Sequence, residues 1–452
     1  MKLCSSRSST RRYWGIGKMN NNRAGSRVLA ASTAAILIGL LTACGNGAGE
    51  ATVEDSAYNG EPVTIDFWHG FTGGGAVEAV PELIAKFNEE HETITVKETP
   101  TPWDDMSSKM PLAIKSGEGP DVAVLHGDDI ATYAVQGQFI EADEIVNSLG
   151  YEEGDFPPGL LEAGSYNGSQ YALPWSVTPL GIYANVNVLE KAGLGAEAVP
   201  TDNASYMEYL EALKDAGIQG QSLDPNMFTG MLMFKTMLWQ FGGELFNEEV
   251  TEATFNSDAG VKALSWMVDL VDKGYAPKEL AGGLNPVIAG ENAYYWTGVW
   301  NTTNPTLQEV DWVAAAVPQI GDEKAVWSSS THWVFPKNKN QSPNETAAAA
   351  IFVQWMNDHS LDWAGLGELP ALNSVREDPA LLEQYPRLEP FIDELEYARY
   401  EFSAPGTVAA EAPILTALGE ALRSEKSPQE ALDAAAAESG QILERNRSQY
   451  GD

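Results

Sequence analysis

Thirteen tryptophans in one chain are an unusual supply, and several stand beside groups that donate or accept hydrogen bonds. Trp68 precedes His69 and Thr72, Trp175 precedes Thr178, Trp300 follows Gly298 by two residues, and Trp333 follows His332. A flat indole flanked by hydroxyl, imidazole or carboxylate groups suits reversible capture of a small polar solute with an apolar face. A pyranose, with C–H groups on its faces and hydroxyls at its rim, is the clearest case. Metal chemistry is poorly supplied: His69, His91, His126, His332 and His359 are scattered, no His-Glu-x-x-His pair exists, and no acidic loop has calcium-site spacing. No metal or other cofactor is therefore expected. A Gly-x-x-x-x-Gly-Lys-Ser/Thr phosphate loop is also missing, so any ATP hydrolysis belongs to a separate subunit. A secreted glycoside hydrolase is the competing reading. It too would be acidic and tryptophan-rich, and 64 acidic residues leave room for two carboxylates about 5–10 Å apart, although no hydrolase signature is present.

The elements that must place these side chains read as alternating strands and helices. Apolar and polar residues alternate from Val63 to Trp68, the glycine-rich turn 69–75 follows, and Val77, Val80, Leu83, Ile84 and Phe87 recur at helical spacing. Ile94–Val96 is the next strand, a helix is predicted around Met106–Lys115, and the apolar run Val122–Leu125 reads as a buried strand. Asp128 beyond it reads either as a site carboxylate or as the N-cap of a helix beginning near Ile130. A second alternating region starts near Tyr171 and runs to Asn185. Amphipathic helices are predicted at 206–213, 231–241, 261–271, 346–356, 414–422 and 428–443. Trp239 lies on the apolar face of one of them, with Met231, Phe234 and Leu238, which favours core packing over the site. Strands alternating with helices predict open, mainly parallel sheets covered on both faces, with ligands at their carboxyl edges. No repeat of fixed period is visible.

The first 43 residues differ in kind. Seven basic and no acidic residues precede an apolar run from Val28 to Leu41, the pattern of a secretory signal. The run ends Leu41-Thr42-Ala43-Cys44-Gly45, which resembles a bacterial lipoprotein signal in which Cys44 becomes the lipidated first residue. Residues 44–61 are a flexible tether, after Cys44 mostly Gly, Ala, Ser, Asn and acidic residues with little to bury. Cys4 falls in the discarded leader, so no thiol is left for catalysis or zinc. The formal charge of −37 becomes about −44 once the leader is removed, leaving 20 basic against 64 acidic residues, a surface that repels nucleic acid.

Five ordered segments carry a family resemblance: Ile65-Asp-Phe-Trp-His-Gly70, Ser116-Gly-Glu-Gly-Pro-Asp-Val122, Ala172-Leu-Pro-Trp175 leading to Ile182-Tyr-Ala-Asn185, Gly298-Val-Trp300, and Trp333-Val-Phe-Pro-Lys337. From residue 62 onward the chain resembles the extracellular solute-binding proteins, family 1, of ABC importers, the group of maltose-, oligosaccharide- and glycerol-phosphate-binding proteins. The resemblance implies an α/β, two-lobe periplasmic-binding-protein fold of type II, with hinge-connected lobes that close over the solute. It divides the chain into 62–174 with 313–384, and 175–312 with 385–452. It implies a monomer that captures a sugar or oligosaccharide without catalysis and delivers it to the transmembrane permease subunits, anchored by lipid at the outer face of the cell membrane. Glycerol phosphate, polyamine or iron are the other solutes taken on this fold. By the same resemblance the solute meets His69 and Thr72 in the first loop, His126 and Asp128 beyond the strand 122–125, and Trp175 and Thr178 at the first crossing with Tyr183 behind them, while Trp103 reads either as a cover of the cleft or as a plug of the lobe. The family pattern makes Trp300 a stacking platform; from the residues themselves, Gly298 two positions before it lets the backbone approach the ligand, and Trp239, His332 and Trp333 are further candidates. His332 and Trp333 read equally as a strand with Trp333 and Phe335 inward and His332 solvated. One departure is Ala184, where the family commonly has a second aromatic.

Overall fold

The computed structural model describes residues 58–223, 228–277, 282–339, 341–400 and 404–451. The leader, Cys44 and most of the tether lie outside the described residues.

Alternation over Val63–His69 (β1) buries Ile65, Phe67 and His69 on one side. The helical repeat that follows folds Ala76–Glu90 (α1) with Val80, Leu83, Ile84 and Phe87 buried. Ile94–Pro100 (β2) runs parallel to β1, in register from Val63↔Ile94 to His69↔Pro100. Asn88 of α1 locks this unit: its amide nitrogen donates to the Val96 carbonyl and its oxygen accepts the Val96 N–H. Trp103–Ser116 (α2) ends at Gly117, whose φ of +83° is the left-handed C-cap that glycine adopts without strain. Val122–His126 (β3) then pairs parallel with β1.

The remaining strands are Ser165–Tyr166 (β4), Ser169–Gln170 (β5), Ala172–Asn185 (β6), Gln219–Gln221 (β7), Asn292–Gly298 (β8), Trp312–Ala315 (β9), Val326–Val334 (β10), Leu369–Pro370 (β11) and Ala398–Tyr400 (β12). Ten of the strands form one sheet in the order β2-β1-β3-β10-β6-β8-β7, with β9 and β11 added to β6 and β12 to β10. The sheet is mixed, which corrects the expectation of mainly parallel sheets. β6 runs antiparallel to β10, β8, β9 and β11, and β10 antiparallel to β3. β6 is also long: at about 3.3 Å per residue its 14 residues reach about 46 Å, so one strand serves several partners in turn.

The predicted helices form at Asn203–Asp215, Phe228–Gln240, Asp258–Asp272, Pro343–Asp358, Pro413–Leu422 and Pro428–Tyr450. Two of them extend toward the N-terminus to capping boxes that periodicity does not register, Asp202 with Ser205 and Ser342 with Glu345, and the last begins at Pro428 as expected, behind the capping box Ser427 with Glu430. Among the described residues no helix is long and apolar enough to cross a membrane.

Two large cores result. The first holds Ile65, Phe67, Phe87, Trp175, Trp333, Phe352 and Trp363; the second holds Ile182, Phe234, Met237, Leu264, Trp296, Trp327 and Leu418. β6 passes from one to the other, with Leu173, Trp175 and Val177 in the first and Leu180, Ile182 and Ala184 in the second. β10 passes back, from Val326 and Trp327 in the second core to Trp333 in the first.

Candidate solute-binding site

The ends of β1, β3 and β8 and the middles of β6 and β10 meet where the two cores join. β1 ends at His69, and Trp103 at the start of α2 lies over Gly70: a methyl group there would come within 2.0 Å of the indole. The same ring is 5.4 Å from Phe71 and 4.3 Å from the His126 imidazole. Beyond His126 the chain turns through a short 3-10 segment, Gly127–Asp129. It presses against β10 so tightly that a methyl on Gly127 would lie 2.9 Å from Ser330 Oγ and 3.2 Å from His332 Cε1. His126 Nδ1 is 3.3 Å from Ser329 Oγ.

On the other side β8 runs into the 3-10 turn Val299–Thr303. Thr303 stands 3.5 Å from the Cβ positions of Gly74 and Gly75 and donates its hydroxyl to the Leu366 carbonyl at 3.2 Å. Gly367, at φ +87°, fits against the Trp300 backbone, with Cα and O each 3.0 Å from its Cβ position. The glycine-rich loop, the Trp300 turn and the 364–367 segment are thereby packed into one floor. Trp300 is half-buried, edge-on to Trp327 at 6.4 Å, and Trp327 is edge-on to Phe228 at 5.8 Å.

Beside this floor lies a group the sequence reading did not single out. The Glu368 carboxylate accepts from Ser176 Oγ at 2.7 Å, and Ser176 Oγ is 2.6 Å from Thr331 Oγ1. Glu368 is buried, and that burial raises its pKa to about 7 against the opposing Ser176 hydrogen bond. The run Ser328-Ser329-Ser330-Thr331 was the available signal: four hydroxyls in succession in a wholly buried strand, which must be partnered there.

The predicted residues divide by burial. Thr72 is exposed, and Trp103, His126, Asp128 and Trp300 are half-buried. Thr178 is buried in β6 opposite Ser329. His69 is buried, with Nε2 3.1 Å from Glu98; burial lowers its pKa, and the Glu98 hydrogen bond and charge oppose that. Trp175 packs between Phe71, Trp333 and Trp363 in the first core, and its indole N–H has no partner among the described residues. Trp333 is buried and donates to Asn357 Oδ1. Tyr183 is buried and donates to the Gly298 carbonyl at 2.9 Å, so it braces the start of the Trp300 turn from behind. Trp239 is in the second core under the Arg399 guanidinium, 5.2 Å from its ring.

Three local expectations need correction. Gly298 does not open the backbone to a ligand, because the Trp300 indole itself fills the space, 1.8 Å from the glycine's Cβ position. Asp128 does not cap the helix Ile130–Val135; Asp129 stands at that N-cap, with no side-chain hydrogen bond to the helix. His332 is not solvated. It is 0% exposed, with Nε2 3.3 Å from the Leu160 carbonyl, and burial lowers its pKa to about 4. A register shift between Thr331 and His332 accompanies the burial of both consecutive side chains.

Chemically the assembly is an aromatic and hydroxyl-lined junction. Its segments 69–75, 126–129, 175–178, 297–303, 328–332 and 366–368 contain Asp128, Asp129 and Glu368 and no Lys or Arg. Among the described residues no group of three or more His, Cys, Asp or Glu is placed to hold a metal. The sequence pattern of the bacterial extracellular solute-binding proteins matches residues 82–390. The chain belongs to this family. The solute-binding protein is 26% identical over 247 residues to an uncharacterized ABC transporter extracellular-binding protein of Pyrococcus horikoshii, 52% of this chain and 55% of that one. It spans about half that relative's length. The crystal structure of a cyclic α-maltosyl-1,6-maltose binding protein of Arthrobacter globiformis superposes with a TM-score of 0.70 at 24% identity, over 85% of this chain and 100% of that one. UgpB of Mycobacterium tuberculosis in complex with glycerophosphocholine superposes with 0.72 at 20% identity, over 85% and 99%. The solute-binding protein therefore has the two-lobe α/β fold of periplasmic sugar-binding proteins.

Proposed function

We propose that this solute-binding protein is the receptor of an ABC importer and takes an uncharged sugar or oligosaccharide at the junction of its two cores. One lobe would be built on each core, and β6 and β10, shared between them, would act as the hinge. The observation that carries the reading is the lining itself: indoles from Trp103 and Trp300 beside serine and threonine hydroxyls, with acidic groups and no Lys or Arg in the segments that meet there. Such a lining suits a polyhydroxyl solute with apolar ring faces and disfavours a phosphate, which asks for Arg, Lys or a helix N-terminus. That separates it chemically from a glycerol phosphate site. Binding without turnover agrees with membership in a family of binding proteins. Closure would present the surface that a separate permease recognises, and the protein would work as a monomer.

We further propose that export ends with lipid attached to Cys44, which holds the protein at the outer face of the membrane on a tether reaching to about residue 61. The sequence Leu41-Thr42-Ala43-Cys44 supports this. Replacing Cys44 by alanine is expected to move the protein from the membrane fraction to the medium or the periplasm; retention at the membrane would refute it.

A thermal-shift screen of the protein lacking residues 1–44 tests the solute class. A ligand at about 100 times its Kd adds about 2.7 kcal/mol of stability, enough to raise Tm measurably. The expected result is a shift with saccharides and none with glycerol phosphates, amino acids or polyamines, with the sugar recovered intact. Cleavage products would instead establish a hydrolase.

A further inference from the structure

Glu368 is a carboxyl group held inside the protein without a counter-charge among the described residues. It is 9% exposed, and its hydrogen-bond partner is the Ser176 hydroxyl, which in turn meets Thr331. β6 contributes Trp175, Ser176, Val177 and Thr178, none of which titrates near neutrality. β10 contributes His332, which burial keeps neutral. The turn after β3 contributes His126, Asp128 and Asp129, and Thr331 lies opposite His126 in the β3–β10 register. The short helix Asn373–Arg376 after β11 contributes Arg376, whose Nη1 is engaged by the Pro370 carbonyl at 2.5 Å and whose Nη2 bonds Asn373. Tyr400 acts on Arg376 rather than on Glu368. Burial and the Ser176 hydrogen bond are the two influences on the Glu368 proton.

The position matters as much as the environment. Gly367 is pressed against the Trp300 backbone, and Ser176 lies midway along the strand that joins the two cores. Resting on the reading that an uncharged saccharide is captured here, we infer that Glu368 acts as a protonated hydrogen-bond donor in the floor of the site, so that capture is linked to proton uptake at this residue. A carboxylate can only accept hydrogen bonds, whereas a neutral carboxyl offers one O–H to a solute oxygen. Closing the site over a neutral solute removes water from the same carboxyl and further disfavours its ionised form. Only the protonated protein then binds well. A solute bearing an ammonium group would reverse the sign, because it would stabilise the carboxylate.

The experiment is titration calorimetry with maltose and maltotriose at pH 5.5, 7.0 and 8.5, on the wild type and on Glu368→Gln and Ser176→Ala variants. In the wild type, affinity is expected to be level at low pH and to fall by about tenfold per pH unit above a midpoint close to 7. Glu368→Gln should flatten this profile, and Ser176→Ala, which removes the bond favouring the carboxylate, should move the fall to higher pH. A wild-type profile without slope, or a slope that survives in Glu368→Gln, overturns the inference. If neither saccharide binds at any pH, the solute reading fails separately, and unfolding of the ligand-free protein decides the proton on Glu368. Relative to Glu368→Gln, the wild type should lose Tm between pH 5 and 7.5; parallel pH profiles would overturn the assignment.

Discussion

Replacing Gly298 by alanine moves the Trp300 indole without altering the tryptophan. Gly298 has φ −81° and ψ 169°, extended backbone open to any residue, so the added methyl brings no backbone strain. That methyl would lie 1.8 Å from Trp300 Cζ3, 2.1 Å from Cε3 and 2.2 Å from Cη2, whereas non-bonded carbons settle at about 3.5–4.0 Å. The ring must therefore swing by roughly 1.5–2 Å or change rotamer, and it leaves its edge contact with Trp327. Trp300 is only half-buried, so the stability cost should stay near 1 kcal/mol. Loss of a correctly placed stacking surface should weaken saccharide binding at least tenfold, equivalent to about 1.4 kcal/mol. Titration calorimetry with the saccharide that raises Tm measures this, and tryptophan fluorescence reports the displaced ring. Wild-type affinity in a folded variant whose ring has moved would show that Trp300 is not the platform.

Other perturbations separate support from contact. Lys235 and Glu411 form a buried ion pair; Lys235→Met should cost about 3 kcal/mol or more in urea unfolding by taking the cation away from the buried Glu411 carboxylate, and Lys235→Met with Glu411→Leu should recover most of it. Tyr183→Phe removes the hydroxyl that donates to Gly298 O and should cost about 1–2 kcal/mol of stability, with a further loss of affinity if the bracing of the Trp300 turn matters; stability and Kd are measured on the same variant. His332 has its pKa lowered to about 4 in the fold, so the unfolded chain binds more protons below about 6.5. Stability from this residue is present above pH 6.5 and lost as pH falls toward 4, by about 3 kcal/mol in all. Denaturant unfolding of the wild type and His332→Gln from pH 7 to 4 should show their difference changing by that amount, and parallel curves would refute it.

The elements of this protein were legible because periodicity is local. The alternation of Val63–His69, the helical spacing of Val80, Leu83, Ile84 and Phe87, and the amphipathic stretch at Pro428–Tyr450 each follow from backbone geometry within one segment. The ordered motifs carried the family, and the glycine-rich turn and Gly298-Val-Trp300 marked two of the loops that meet at the junction. What the sequence could not settle depended on residues far apart in the chain. The Glu368 carboxyl shifts upward because the strands packed around it exclude water, against the hydrogen bond from Ser176, 192 positions away. His332 is neutral because β10 is buried at every position, with the Leu160 carbonyl, 172 positions away, against its ring. β6 pairs with four strands because it is long enough to run through both cores, and Gly298 makes room for its own neighbour's ring instead of a solute. Periodicity records which way a side chain points from its own element; burial, proton affinity and the occupant of a gap are set by what the rest of the chain packs against it.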